Sequence, residues 1–75
     1  MYYVYVIKND EKEKLYYGFS SDLKRRMKEH KSKGNWRLVY YEAYESEKDA
    51  RIREKRIKKY GQARTHLKNR IINSL

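Results

Sequence analysis

Tyr2-Tyr-Val-Tyr-Val-Ile7, the polar gap Asn9-Asp-Glu-Lys-Glu-Lys14 and Leu15-Tyr-Tyr-Gly-Phe19 together decide how this chain folds. Six consecutive aromatic or β-branched residues read as a buried strand. Asn9 to Lys14 is turn-forming, and the aromatic run resumes at Leu15, which predicts an antiparallel hairpin. A third strand is expected at Leu38 to Tyr44 (LVYYEAY), reached through the polar stretch Lys31 to Asn35.

Two helices are signalled beyond the hairpin. Ser21 is placed to cap the first, with Asp22 favourable in its opening turn. Leu23, Met27 and His30 then share one face at spacings of four and three. The second opens on the capping-box pattern Ser46-Glu-Lys-Asp49 and carries Ala50, Glu54 and Ile57 along one side, with Gly61 expected to end it. A last helix from about Ala63 groups Leu67 with Ile71. The predicted order is β-β-α-β-α-α, an α+β fold in which helices flank a small three-stranded antiparallel sheet, as one domain over residues 1–75.

Composition narrows the function. A chain of 75 residues buries only about 60% of its unfolded surface, so its core is thin. Without cysteine, neither a disulfide framework nor a thiolate zinc site supplements that core. The absence fits a reducing interior, and nothing resembles a membrane span or a leader, so a cytoplasmic protein is expected. Twenty Lys+Arg against ten Asp+Glu leave a net charge of +10, which points to a polyanionic partner, nucleic acid first among them.

Some polar residues fall where apolar ones should. Glu54 lies only about 40° around its helix from Ala50, so a carboxylate is aimed toward the sheet. The structural alternative is a rim glutamate paired with Lys58 at i+4. Arg26 lies about 60° from Leu23 while Arg25 points away, and His30 is one turn beyond Arg26. Inward-leaning polar side chains on two helices, with a tyrosine-rich sheet between them, mark a candidate site.

Tyr3-Val4-Tyr5, a polar gap, and Tyr16-Tyr17-Gly18 resemble the paired signature of the GIY-YIG nucleases. Arg26, eight residues after Gly18, looks like that family's catalytic arginine, and the helix Asp49 to Lys59 resembles its alanine-then-glutamate segment. The likeness runs from Tyr2 to about Leu67 and is greatest to short, stand-alone bacterial members, which carry a His four residues after the arginine, as Arg26 and His30 do.

The resemblance implies a divalent-metal-dependent DNA endonuclease, acting in repair or recombination on duplex or branched DNA. Tyr16 would be the general base or proton relay, and Tyr5 would orient the attacking water or hold Tyr16. Gly18 would let the backbone pass close to the substrate, Arg26 would neutralise phosphoryl charge, and His30 would hydrogen-bond near the scissile phosphate. Glu54 would hold one Mg2+ or Mn2+, which usually keeps several waters and takes further ligands from phosphate.

Lys24, Arg25, Lys28, Lys31, Lys33 and Arg37 form the expected phosphate-binding surface around the first helix and the loop after it. The signature departs from the family at Tyr3 (glycine expected) and Tyr17 (isoleucine expected). Phe19 replaces the lysine of the excision-repair members, and His66 stands at the spacing of their asparagine. No second domain is expected to select a sequence or lesion, so specificity must come from a protein partner or from DNA structure, or be absent. Two readings compete with the nuclease: a basic DNA-binding module of the same fold with little turnover, and an RNA binder stacking bases on Tyr2, Tyr3 and Tyr17.

Overall fold

The computed structural model describes residues Met1–Leu75. Its elements are β1 (Tyr2–Asn9), β2 (Lys14–Ser20), α1 (Leu23–Ser32), β3 (Trp36–Tyr44), α2 (Glu47–Lys59) and α3 (Gly61–Arg70), followed by a single 3-10 turn over Ile72–Ser74. The predicted order and fold class hold, with three antiparallel strands arranged β2-β1-β3.

The central place of β1 explains why its sequence is continuously apolar rather than alternating: both of its faces are covered. Tyr5 and Ile7 pack on one face against Met27 of α1, flanked by Leu23 and Trp36. Val4 and Val6 pack on the other against Ala50 and Ile57 of α2, Leu67 of α3 and Ile71. The sheet is thus sandwiched between α1 and the α2–α3 pair. In β3, Tyr40 pairs with Val6 and Leu38 with Ile7, so Val39 is an extra, bulged residue. The bulge lets Val39 and Tyr40, adjacent in sequence, both pack on the α2–α3 core.

Two helix boundaries differ from the sequence expectation. Asp22, rather than Ser21, caps α1: its Oδ1 accepts from the Arg25 amide at 3.1 Å, while Ser20 Oγ accepts from the Asp22 amide at 2.9 Å. Gly61 does not end α2 but opens α3, and Tyr60, in extended backbone, is the cap shared by both helices. The last carbonyls of α2 need partners that the helix cannot supply. Arg64 donates to two of them, Ile57 at 2.8 Å and Lys58 at 2.7 Å, so no glycine stop is required. Ser46 caps α2 as expected, accepting from the Asp49 amide at 3.3 Å.

A polar knot fastens β3 to α2. Arg53 binds both oxygens of Glu42, at 3.0 and 3.2 Å from Nε, and the hydroxyls of Tyr40 and Tyr44 donate to the same carboxylate. Burial works to raise the Glu42 pKa, but these donors outweigh it and hold the carboxyl below its ordinary value. Tyr44 pays the reverse shift, pushed up to about 12 by burial and by the adjacent carboxylate.

Candidate active site

The site forms at the β2 edge, where Tyr5 on β1 stands opposite Gly18 on β2. Tyr5 is fully buried, and its ring occupies the space beside Gly18. A Cβ at Gly18 would fall 2.8 Å from Tyr5 Cε1 and closer still to Cζ and the hydroxyl. Gly18 thus makes room for this ring, whereas the family resemblance implies room for a substrate.

The Tyr5 hydroxyl reaches His30 of α1, 2.8 Å from Nε2. Burial pushes the Tyr5 phenol up, against the opposing pull of Arg26, so the phenol stays protonated and is available to donate. His30 is held below the ordinary histidine value by burial and by the positive charges of Arg26 and Lys33. A neutral imidazole accepting at Nε2 must carry its proton on Nδ1. The result is a directed hydrogen bond from Tyr5 to His30, with the Arg26 charge beside it, that leaves an N–H donor on Nδ1.

Tyr16 lies on the same sheet face as Tyr5, two residues before Gly18. Its ring centroid is 5.2 Å from that of His30 and 6.3 Å from that of Tyr5, and 39% of the residue is exposed. Trp36, just ahead of the third strand expected from sequence, closes the cluster 6.5 Å from both Tyr16 and His30. Sequence reasoning missed it, although a lone tryptophan beside a predicted strand was a usable signal.

Helix α2 reaches this edge from the opposite face of the sheet. Glu54 is only 19% exposed at its side chain and pairs with Lys58 at 3.2 Å, so the carboxylate both faces inward and makes the predicted i+4 bridge. Its charge acts on Tyr5, and the Lys58 ammonium stands 5.9 Å over the Tyr16 ring. Tyr5, Tyr16, Arg26, His30 and Glu54, drawn from four elements, are thereby brought together.

The basic residues divide. Arg26 is 33% exposed at its side chain and bonds Glu29 at 2.6 Å, whereas Arg25, 67% exposed, makes only a 3.9 Å bridge to the same acid. Lys24, Lys28 and Lys31 line a groove between α1 and β3, and Lys33 caps the end of α1 near His30. Arg37 does not join them. It grips Asp10 at 2.7 Å and the Ser74 carbonyl at 3.1 Å, which makes it a tie between the hairpin turn and the C-terminal turn.

The model of the GIY-YIG catalytic domain matches residues 1–69. The chain belongs to this family. A UPF0213 protein of Clostridium perfringens is 37% identical over 68 aligned positions, spanning 79% of this chain and 72% of that protein. No solved structure matches the chain significantly. The GIY-YIG family is one of nucleases, so nucleic acid is the substrate class it implies.

The GIY-YIG signature positions that depart here are occupied by packing residues. Tyr3 sets its ring edge-on to Tyr41, 6.0 Å between centroids. Tyr17 enters the core under α2 and α3, its hydroxyl buried without a partner. Phe19 stacks on Tyr2 on the face away from the site and carries the Arg51 guanidinium 4.4 Å above its ring. His66 is exposed on α3.

Proposed function

We propose that this chain is a divalent-metal-dependent endonuclease that hydrolyses phosphodiester bonds of duplex or branched DNA, in repair or recombination and with a protein partner for targeting. The supporting observation is the convergence at one sheet edge of an exposed phenol, a neutral imidazole, an inward arginine and a half-buried carboxylate. Those groups meet the needs of phosphodiester cleavage: a base for water, a donor for oxygen and cover for transition-state charge.

In this reading Tyr16, open to solvent, takes or relays the proton of the attacking water. The His30 Nδ1–H donates toward the scissile phosphate, and Arg26 covers the charge that gathers on its oxygens. Tyr5, sealed from solvent, is a positioning residue: it sets the tautomer and angle of His30.

No cluster of three or more His, Cys, Asp or Glu side chains is present to cage a cation. Glu54 fits Mg2+ or Mn2+ nonetheless, because such an ion keeps most of its waters and shares phosphate oxygens, needing one carboxylate from the protein. Bound there, a divalent cation supplies positive charge to the phosphate. Glu54 must exchange its Lys58 partner for the metal. The existing bridge is the one observation that favours the rival reading, a DNA-binding module with little turnover.

Glu54→Gln separates the two. It keeps volume and removes charge, so nicking of supercoiled DNA in Mg2+ should vanish while the thermal midpoint and DNA binding persist. Full activity in that variant would refute the site, and a wild-type protein that binds DNA without nicking it would establish the rival.

A further inference from the structure

On the side of α1 away from the candidate site, a groove of about 650 Å³ runs between that helix and β3. Its floor is apolar, made by Leu23 and Met27 of α1 and Leu38 of β3. Tyr41 forms its β3 wall and is 54% exposed, with Tyr3 braced edge-on behind it. Along the α1 rim stand Lys24, Lys28 and Lys31, whose spacing of four and three places them in one stripe. The only acid is Asp22, whose Oδ1 is engaged in capping α1.

We infer that this groove binds an unpaired nucleotide arm of DNA, its base stacked on Tyr41 and its phosphates on the three lysines; this deepens, and rests on, the reading of the chain as a DNA nuclease. A duplex wall presents sugars and phosphates, which the lysines alone would satisfy. It offers no π-face to an exposed tyrosine and no apolar surface to a Leu-Met-Leu floor. A splayed base offers both, and stacking on aromatic side chains over a basic track is how unpaired strands are held without sequence preference.

The groove is also close to the chemistry. Tyr41 pairs with Tyr5 across the sheet, and Arg26 is on the same helix as the three lysines, turned to the other side. A substrate with its duplex at Tyr16 and Arg26 and an unpaired arm on Tyr41 would straddle α1, so preference for branched over continuous DNA becomes a property of this domain alone.

Fluorescence anisotropy in chelator, where no cleavage occurs, tests this with three probes: a blunt duplex, the same duplex with an oligothymidine arm, and one whose arm has the same phosphates but abasic sugars. The thymidine arm should bind more tightly than the abasic arm, by roughly 5- to 150-fold for one stacked base. Tyr41→Ala should erase that difference without altering blunt-duplex binding, and Tyr41→Phe should retain it. Thermal midpoints confirm that both variants fold. Equal affinity for the two arms, or a Tyr41→Ala loss shared by all three probes, overturns the groove while leaving the nuclease reading intact. Absence of binding to any probe overturns both.

Discussion

The Tyr5 hydroxyl lies 2.8 Å from His30 Nε2, and with the phenol as donor that bond leaves the imidazole proton on Nδ1. Because burial, Arg26 and Lys33 all disfavour the imidazolium, His30 should titrate below the ordinary value of about 6.5. The linkage follows from the direction. The unfolded chain takes up this proton before the folded one does, so folding stability from this group is intact above the unfolded pKa and falls as pH drops through it. Tyr5→Phe removes the donor to Nε2, so the His30 midpoint should rise. NMR titration of the His30 ring protons checks both, and an unchanged midpoint in Tyr5→Phe would mean that the bond does not set the tautomer.

Gly18→Ala should destabilise the protein by about 1–3 kcal/mol, the usual cost of overpacking. The added methyl meets the Tyr5 ring, which cannot retreat from the middle of a three-stranded sheet. Chemical denaturation measures the loss, and Gly18→Ala/Tyr5→Leu should recover part of it by removing the struck ring atoms. A near-neutral Gly18→Ala would show that the close packing is not required.

That packing shows what was and was not legible in the sequence. The aromatic strands, the Ser46 cap and the inward lean of Arg26 and Glu54 could all be read, because local period and capping chemistry dictate them. The packing partner of Gly18 was not legible, because Tyr5 comes from another strand and only the register of the hairpin brings them together. The partners of Arg37 are hidden for the same reason: Asp10 and Ser74 are distant in sequence and meet it only after folding. Arg64 deceived in a further way, replacing the glycine that α2 was expected to need with two side-chain hydrogen bonds from the next helix.

Glu42→Gln should cost about 1.5–3 kcal/mol, the range for hydrogen bonds to a charged group, since Arg53 and two tyrosine hydroxyls converge on this carboxylate. The folded pKa of Glu42 is depressed, so its contribution is present above the ordinary carboxylate value of 4.5 and is lost as pH falls toward the depressed one. The stability gap between wild type and Glu42→Gln, measured by denaturant melts, should therefore be full near neutrality and shrink as pH falls below 4.5. A gap independent of pH would assign the loss to packing.

Arg25 and Arg26 are neighbours of identical charge, and both pair with Glu29, yet the fold separates them. Arg26 is half as exposed and its charge acts on the Tyr5 phenol, while Arg25 remains in solvent. If Arg26 stabilises charge on the transferring phosphoryl group, Arg26→Ala should lower the rate by on the order of 10²–10³ at saturating DNA. Arg25→Ala should instead weaken binding through one lost phosphate contact and recover at higher protein or lower salt. Saturation is essential, because only then does turnover report the chemical step apart from affinity. Arg26→Lys refines the test: a point charge on a flexible stem should restore some phosphate attraction but not the planar two-point grip of a guanidinium, so the rate should stay depressed. Equal rate losses at positions 25 and 26 would place the catalytic charge on the helix as a whole and remove Arg26 from the site.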